Sequence, residues 1–368
     1  MRGIVLEDAF NKRFAKQVVN KAMRIAEGEN VFIYAIREAF DLAEAIALEC
    51  DVAGAKPLLV AYSNEYMKKS LTVPNEKFVE QMGKQWLKAI EASDAYIAVE
   101  IPALAEVPVS RVGAWRRARK HFSDVLDRKG IRWVGIRYPT PGRAKDMGIT
   151  LAKSKKVILP ALDIDYEELV RKGQSIVKAV SDSKKVKITS NEGTDIEFQV
   201  TGRKWIIDDG VIGPEDIEAR DVGLNLPCGE VFVAPVEDSA EGTAFFNVPT
   251  NYWGHRISGL KLEFKGGKVV SFDAREGKKE FKGALDAATG DKDRIAEFAI
   301  GLNPKAEFIN DILVDEKVLG SIHIAIGNNK GPAYGGKNDS SIHWDLVMNH
   351  PTVKVDGKTI MKNGKLKI

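Results

Sequence analysis

The segment between Glu316 and Asp345 carries the side chains that are best suited to chemistry in this sequence. Two of the chain's five histidines, His323 and His343, fall within it. His343 and Asp345 are two residues apart, so on a β-strand both side chains point to the same face. Imidazoles and carboxylates that converge on one point are suitable ligands for a divalent transition metal such as zinc, cobalt or manganese. The segment therefore predicts a metal site.

The residues around the two histidines predict two strands joined by a turn. His323 lies in the apolar, alternating run 322–326, which is typical of a half-buried strand. Residues 335–338, Gly-Gly-Lys-Asn, predict a tight loop that folds a second strand back toward the first. A lone histidine in an apolar strand is more often a core residue, and a His-x-Asp triplet often arises by chance. The metal interpretation therefore needs further donors.

Two carboxylates upstream stand among apolar neighbours. Glu230 directly precedes an apolar strand predicted at 231–236, and Glu297 lies in residues 292–300, which predict a helix. A buried, unpaired carboxylate costs several kcal/mol, so each acid needs a cation or hydrogen bonds. For each acid taken singly, an ion pair with a lysine or arginine and a bound metal remain equally open. Cys228 is a conceivable soft ligand, although a small buried residue is the commoner role.

Length and composition favour a two-domain globular protein without a membrane span. A chain of 368 residues exceeds the usual size of one core. The near balance of 55 basic and 52 acidic residues gives no indication of an acidic partner. No run of 18 apolar residues exists, and acids at positions 7 and 8 argue against a signal peptide. Two cysteines fit a reducing compartment, so we expect a cytoplasmic protein.

Helices and strands alternate in the first half, and the strands are apolar on both faces. This pattern predicts an α/β domain over residues 1–183 with a largely parallel sheet. The predicted helices are 9–26, 41–50, 76–92, 113–129 and 166–180, and the predicted strands are 31–35, 58–61, 95–101 and 131–136. The half contains neither Gly-x-Gly-x-x-Gly nor a phosphate-binding loop, so we expect no nucleotide site.

The helix 113–129 is strongly basic around Trp115, which raises the question of nucleic-acid binding. A solvated helix face is the commoner meaning of such a run, and acids at 100, 124 and 127 dilute its charge. The isoelectric point near 8.5 also lies below the value above about 9 that is typical of nucleic-acid-binding domains. We therefore expect no nucleic-acid partner.

Strands follow one another beyond the polar run 181–185. They predict an α+β, mainly antiparallel domain over residues 184–368, which carries the metal site. Glycine-containing turns at 266–267 and 356–357 predict hairpins, and Asn-Gly at 363–364 predicts a third turn. The predicted strands are 186–189, 195–200, 205–207, 231–236, 243–248, 262–264, 269–272, 353–355 and 359–361.

Seven short segments of this half, taken in order, resemble the thermophilic metallo-aminopeptidases of the aminopeptidase T group. The segments are Asn-Leu-Pro-Cys-Gly-Glu-Val-Phe at 225–232, Glu-Gly at 241–242, Ala-Glu at 296–297, Asp-Glu-Lys at 315–317, His-Ile-Ala-Ile-Gly at 323–327, Ala-Tyr-Gly-Gly at 333–336 and His-Trp-Asp at 343–345. The resemblance implies two divalent metal ions, zinc, cobalt or manganese, bound by Glu230, Glu297, His323, His343 and Asp345. It further implies Glu316 as a catalytic or metal-bound acid and Tyr334 as a catalytic phenol.

The resemblance also implies an activity and an assembly. The substrates would be peptides with a free N-terminus, and the protein would be a homodimer whose site faces an internal cavity. In this scheme, Glu316 accepts a proton from the metal-activated water and Tyr334 stabilises the oxyanion. The first domain would shape and close the substrate cleft. Two alternatives remain: a metal-dependent hydrolase of another amide or ester bond, and a metal-stabilised binding protein without turnover.

Overall fold

The computed structural model describes the backbone of residues 2–331 and 335–368, with side chains from Glu7 onward. The chain forms two compact units. The first contains residues up to Asp163 together with Gly210–Pro227, and the second contains Ile164–Asp209 and Cys228–Ile368. The predicted single boundary after residue 183 differs from this division, because the chain enters the second unit earlier and returns once to the first.

The helices are numbered in chain order. They are α1 (Arg2–Gln17), α2 (Phe40–Val52), α3 (Asn64–Thr72), α4 (Glu76–Val79), α5 (Lys84–Glu91), α6 (Val109–Lys129), α7 (Pro141–Met147), α8 (Leu151–Leu162), α9 (Tyr166–Val180), α10 (Pro214–Ala219), α11 (Lys278–Ala287) and α12 (Ile312–Asp315). A π-helical turn at Val18–Ala22 continues α1, and a 3-10 turn at Arg37–Ala39 precedes α2.

The strands are numbered in the same way. They are β1 (Asn30–Ile36), β2 (Lys56–Tyr62), β3 (Ala95–Val99), β4 (Arg132–Ile136), β5 (Lys185–Thr189), β6 (Asp195–Gln199), β7 (Ile206–Asp208), β8 (Gly223–Leu226), β9 (Glu230–Val233), β10 (Glu241–Phe246), β11 (Thr250–Tyr252), β12 (His255–Ile257), β13 (Leu260–Lys265), β14 (Lys268–Asp273), β15 (Ile295–Gly301), β16 (Ile322–Gly327), β17 (His343–Met348), β18 (Thr352–Val355), β19 (Lys358–Lys362) and β20 (Lys365–Leu366).

The first unit contains a parallel sheet with strand order β2-β1-β3-β4-β8, which confirms the predicted α/β class. Strand β8 was not predicted; it is short and lies far along the chain from its neighbour β4. Gly223 in β8 permits the close approach of these strands, since a Cβ there would lie 2.2 Å from the Trp133 ring. The pairing of β8 explains why residues 210–227 return to the first unit.

The helix predicted at 76–92 is two helices, α4 and α5. The Asn75 side chain accepts a hydrogen bond at the start of α4, and Gly83 stands immediately before α5. On α6, Arg117 pairs with Glu80, and Arg119 lies over the ring of Trp115. These basic side chains therefore have structural partners within the first unit.

The second unit contains three antiparallel sheets, as predicted for this half of the chain. The larger two have the orders β14-β13-β10-β6-β5-β18-β19-β20 and β17-β16-β15-β9-β7, and β11 and β12 form a separate hairpin. Glycine-containing turns join β13 to β14, β18 to β19 and β19 to β20, which confirms the two predicted hairpins and the third predicted turn.

The helix predicted at 292–300 is wrong, because residues 295–301 form the central strand β15. Antiparallel neighbours β9 and β16 flank this strand, and all seven of its residues are buried. A strand that is buried on both faces loses the polar-apolar alternation by which a sequence reveals it, and it then resembles a buried helix. Glu297 is consequently a strand residue.

The five-stranded sheet of the second unit has one apolar face. Phe298 on β15 packs against Phe198 and Trp205 at ring distances of 5.5 and 6.0 Å. Trp344 on β17 packs against Tyr252 and Phe281 at 4.6 and 5.0 Å. These contacts hold β15 and β17 through the apolar face of the sheet, and the opposite face is available for polar side chains. Within the described part of the chain, no helix has the length and apolar character to cross a bilayer.

Candidate metal centre

The register of the five-stranded sheet brings the predicted site residues to one face. Glu297 of β15 lies opposite Ala325 of β16, which in turn lies opposite Asp345 of β17. Because side chains directly opposite each other share a face, these residues form one row across the sheet. His323 and His343 occupy the same face, since each is an even number of residues from a member of this row.

Small residues on this face leave room for the polar groups. Ala299 lies opposite His323, and Ala325 lies between Glu297 and Asp345. Gly301 has a different role, since a Cβ there would lie 2.3 Å from the carbonyl oxygen of Val318 and 2.8 Å from that of Glu316. The missing side chain lets the turn that carries Glu316 approach the end of β15.

A β-bulge aims the Glu297 side chain. The pairing between β15 and β16 shifts by one residue between Ile295 and Glu297. The side-chain amides of Asn329 and Asn338 donate to the carbonyl oxygens of Ala296 and Ile295, at 3.1 and 2.8 Å. Bulges redirect side chains and recur beside functional sites, so these two asparagines stabilise the backbone that orients Glu297.

Glu297 lies between the two histidines. His323 Nε2 is 3.0 Å from Glu297 Oε1, and His343 Nε2 is 3.5 Å from Glu297 Oε2. Asp345 Oδ1 also contacts both rings, at 3.4 Å from His323 Nε2 and 3.1 Å from His343 Nε2. Two carboxylates and two imidazoles therefore meet at one point, as the two-residue spacing predicts for His343 and Asp345.

The orientation of His343 is set by the backbone. His343 Nδ1 donates to the carbonyl oxygen of Asn328 at 2.6 Å, so Nε2 is the nitrogen that faces the carboxylates. Backbone partners of this kind fix the tautomer of a metal-binding histidine. The His343 side chain is 28% exposed, whereas that of His323 is 1% exposed. The cluster therefore opens to solvent at the His343 end.

A buried turn positions Glu316. The carboxylate of the preceding residue, Asp315, accepts backbone hydrogen bonds from Ile309 and Asp311 at 2.8 and 3.2 Å. Glu316 is itself buried, and one of its oxygens lies with the ligand atoms of His323 and Asp345 inside a 4.8 Å cluster.

A buried lysine completes the cluster. Lys317 is 1% exposed, and its ammonium lies 2.5 Å from Glu230 Oε1, 3.0 Å from Glu316 Oε1 and 3.3 Å from Asp208 Oδ2. The ion pair that the sequence left open for Glu230 therefore exists, yet it engages only one carboxylate oxygen by hydrogen bonding. Glu230 Oε2 lies 3.8 Å from His323 Nδ1.

Burial and the neighbouring charges shift the pKa values of the cluster in opposite directions. Burial raises the pKa of Glu230 to about 7 and that of Glu316 to about 8, although Lys317 opposes both shifts. Burial opposes protonation of His323, but the hydrogen bond to Glu297 and the nearby acids outweigh it and raise the pKa to about 9. In the same way, Asp345 and Glu297 outweigh burial and raise the pKa of His343 to about 10. Burial also opposes the ionisation of Asp345, but His343 lowers its pKa well below the usual range.

The donor set fits divalent metal ions. Three buried side-chain atoms of the cluster have no hydrogen-bond partner among the described residues: Glu230 Oε2, Glu297 Oε2 and His323 Nδ1. Unsatisfied buried polar atoms are rare and costly, and a cation removes that cost. Three trios place one ligand atom per residue within 4.8 Å of one another: Glu230 with Glu297 and His323, Glu297 with His343 and Asp345, and Glu316 with His323 and Asp345.

Comparison with known proteins identifies the family of this chain. The model of the thermophilic metalloproteases (M29) matches residues 8–366. The chain belongs to the M29 family. This confirms the predicted resemblance and the predicted enzyme class, a metallo-aminopeptidase.

Individual relatives of this M29 chain are distant but span its length. Aminopeptidase T of Thermus aquaticus is 27% identical, and the alignment covers 95% of each chain. Aminopeptidase 2 of Geobacillus stearothermophilus is 23% identical, with 96% of this chain and 94% of that protein covered. The solved structure of AmpT from Thermus thermophilus has a TM-score of 0.74 at 20% identity, covering 98% of this chain and 99% of that one.

A second solved structure shares the fold. The 2,5-dihydroxypyridine dioxygenase of Pseudomonas putida KT2440 has a TM-score of 0.58 at 17% identity, covering 98% of this chain and 97% of that one. At this identity the likeness concerns the fold alone. The fold therefore does not by itself specify peptidase chemistry, which has to be argued from the side chains.

The structure of this M29 chain brings six of the seven predicted site residues together. They are Glu230, Glu297, Glu316, His323, His343 and Asp345. The seventh, Tyr334, lies outside the described residues. Cys228 is fully buried and belongs to none of the metal-ligand trios that the described residues form, in keeping with the small buried residue that was favoured.

Two members of the cluster, Asp208 and Lys317, were not among the predicted site residues. Lys317 directly follows Glu316, and its position before an apolar strand was a usable signal. Asp208 ends the short strand β7, and no local pattern distinguishes it from a surface acid. Only the pairing of β7 with β9, which sets Asp208 opposite Glu230, makes its role visible.

Proposed function

We propose that this M29 protein removes N-terminal residues from peptides and that its cluster binds two divalent metal ions. The overlap of the three ligand trios carries the proposal. Glu297 belongs to two of the trios, as do His323 and Asp345. Ligands shared in this way support two adjacent ions better than one, because a single ion has no need of so many donors.

The charge of the cluster also supports two ions. Asp208, Glu230, Glu297, Glu316 and Asp345 are five carboxylates, and Lys317 is the ammonium that contacts three of them. With both histidines neutral, as metal binding requires, four negative charges remain, and two divalent ions neutralise them. Because the donors include both oxygen and nitrogen, manganese and cobalt are candidates beside zinc.

Each residue of the cluster has a defined task in this proposal. Glu230, Glu297, His323, His343 and Asp345 hold the ions. The ions would supply Lewis-acid chemistry at this site, namely a lowered pKa for a nearby water, polarisation of the scissile carbonyl and attraction of the substrate's free α-amine. Glu316 would accept a proton from the attacking water and pass it to the leaving amine. Glu316 is suited to this role by its position, since one of its oxygens lies with the ligand atoms of His323 and Asp345.

The test is a comparison of substrates with and without metal. We expect release of N-terminal residues from free peptides, abolition by chelation, restoration by added Zn²⁺, Co²⁺ or Mn²⁺, and no turnover of N-acetylated peptides. The same preparation is assayed on a phosphoester, with metal content measured per chain. Cleavage of the phosphoester or of blocked peptides, without release from free ones, would favour a hydrolase of another bond. Metal binding without any turnover would favour a binding protein.

Tyr334 is expected to affect turnover rather than metal binding. If its phenol stabilises the oxyanion, Tyr334→Phe lowers kcat by roughly 10²–10³ with unchanged metal content. Steady-state kinetics and elemental analysis measure the two quantities. Tyr166→Phe, a tyrosine substitution on α9, is the control. A wild-type kcat in Tyr334→Phe would make Tyr334 a packing residue beside a glycine turn.

Residues 1–183 are proposed to limit access to the site and to support self-association in a homodimer. The reasons are the absence of a nucleotide-binding motif in that stretch and the need of an exopeptidase for a bounded chamber. Light scattering on the full-length protein tests the dimer, and activity on peptides of increasing length tests the restriction. Undiminished cleavage of folded proteins, or saturable binding of ATP or NAD, would contradict the access role.

A further inference from the structure

The ammonium of Lys317 has three carboxylate neighbours and three N–H donors. Its contacts to Glu230, Glu316 and Asp208 are 2.5, 3.0 and 3.3 Å long. A lysine ammonium presents three donors from one point, whereas arginine presents a planar fork on a longer side chain. The three acids therefore surround a cation of the size and shape of an ammonium.

This ammonium offsets a repulsion that the sheet itself creates. Asp208 and Glu230 lie directly opposite each other on β7 and β9. Like charges at opposed positions destabilise a strand pair. Lys317 contacts both acids; Lys317 and Glu230 are buried and Asp208 is only slightly exposed, so the ammonium neutralises the repulsion where solvent screens it little.

The hydrogen bond of Lys317 also distinguishes the two oxygens of Glu230. Oε1 accepts from Nζ, whereas Oε2 accepts no hydrogen bond and lies toward His323 Nδ1, which is likewise without one. A free carboxylate can bind a metal with one oxygen or with both. In this chain one oxygen of Glu230 is already engaged.

We propose that Lys317 is a positioning residue that restricts Glu230 to one metal-facing oxygen and holds Glu316 beside the site. The inference rests on the proposed metal site, but it concerns ligation and does not depend on the reaction. In this proposal, Asp208 holds the Lys317 ammonium in place through its third carboxylate contact. Lys317 thereby sets both the number of donor atoms offered to the metal and the orientation of the proton acceptor.

The test uses the visible spectrum of full-length protein loaded with Co²⁺, which reports coordination number. We expect Lys317→Met to release the second oxygen of Glu230, so that the coordination number rises and the absorption per bound Co²⁺ falls. Lys317→Arg should not restore the spectrum. In the peptidase assay, kcat should fall more than KM changes.

Lys187→Met is the matched control, since it removes a lysine that is ion-paired to Asp195 on the other large sheet. Its Co²⁺ spectrum should equal that of the wild type. An unchanged spectrum in a folded Lys317→Met protein would overturn the proposal, even if thermal stability fell.

A second variant, Asp208→Asn, tests the same proposal if Lys317→Met does not fold. Asp208→Asn keeps the lysine and the shape of its neighbour but weakens the anchor, so a smaller spectral shift in the same direction is expected. An unchanged spectrum would again overturn the proposal. A wild-type protein that binds Co²⁺ without hydrolysing peptides would refute the proposed function and leave this test intact.

Discussion

Glu297→Gln is expected to lose metal and peptidase activity together. Glu297 contacts both histidines of the cluster and has one buried oxygen without a hydrogen-bond partner. Gln keeps the volume of the side chain but removes the charge and one of the two ligand oxygens. Because Glu297 belongs to two ligand trios, the loss should exceed the roughly 10–100-fold cost of removing a partner outside the ligand shell. Elemental analysis and kcat/KM measure it.

Phe298→Leu is the control for this experiment. Phe298 is the next residue of β15 and packs on the opposite, apolar face of the sheet. Its truncation should lower the melting temperature while metal content stays at the wild-type value. Glu230→Gln and His343→Ala should behave as Glu297→Gln does. Full metal stoichiometry in any of these three variants would exclude that residue from the ligand set.

The fold class was predictable because the polar-apolar periodicity of the sequence is clear in helices and strands that have one polar face. Helix α9 was predicted with its bounds intact, and the hairpin turns were identified from their glycines. Prediction failed at β15, where burial on both faces removes the alternation. It also failed at β8, because a four-residue strand paired with a partner far along the chain leaves no local signal.

The site was predictable to the extent that its residues carry local signals. His323 and His343 are rare residue types in suggestive positions, and Glu297 is an acid within an apolar run. The strand around His323 alternates as predicted, but both of its faces are buried, because its second face lines the cluster instead of meeting solvent. Asp208 and Lys317 required the register of β7 and β9 and the close approach at Gly301, which a sequence pattern does not report.

Chelation is expected to destabilise the protein, and by more at high pH than at low pH. The folded chain raises the pKa of Glu230 and Glu316 from 4.5 to about 7 and 8. It raises the pKa of His323 and His343 from 6.5 to about 9 and 10. All four groups bind protons more tightly when folded, so without metal their protons stabilise the fold below their unfolded pKa values. This stability is lost as pH rises through about 7 to 10.

Metal ions replace these protons, so the metal-loaded protein should not lose this stability as the pH rises. At a free metal concentration of 1,000 times Kd, binding adds about 4 kcal/mol to the free energy of unfolding. For a domain of about 150–250 residues, each kcal/mol raises the melting temperature by roughly 2–4 °C. We therefore expect the gap between loaded and chelated melting temperatures to widen steadily from pH 6 to pH 9. Asp345 does not change the expected trend between pH 6 and pH 9, because its lowered pKa affects stability only at acidic pH. Calorimetric scans in both states measure the gap, and parallel curves across the range would mean that these four groups do not exchange protons for metal.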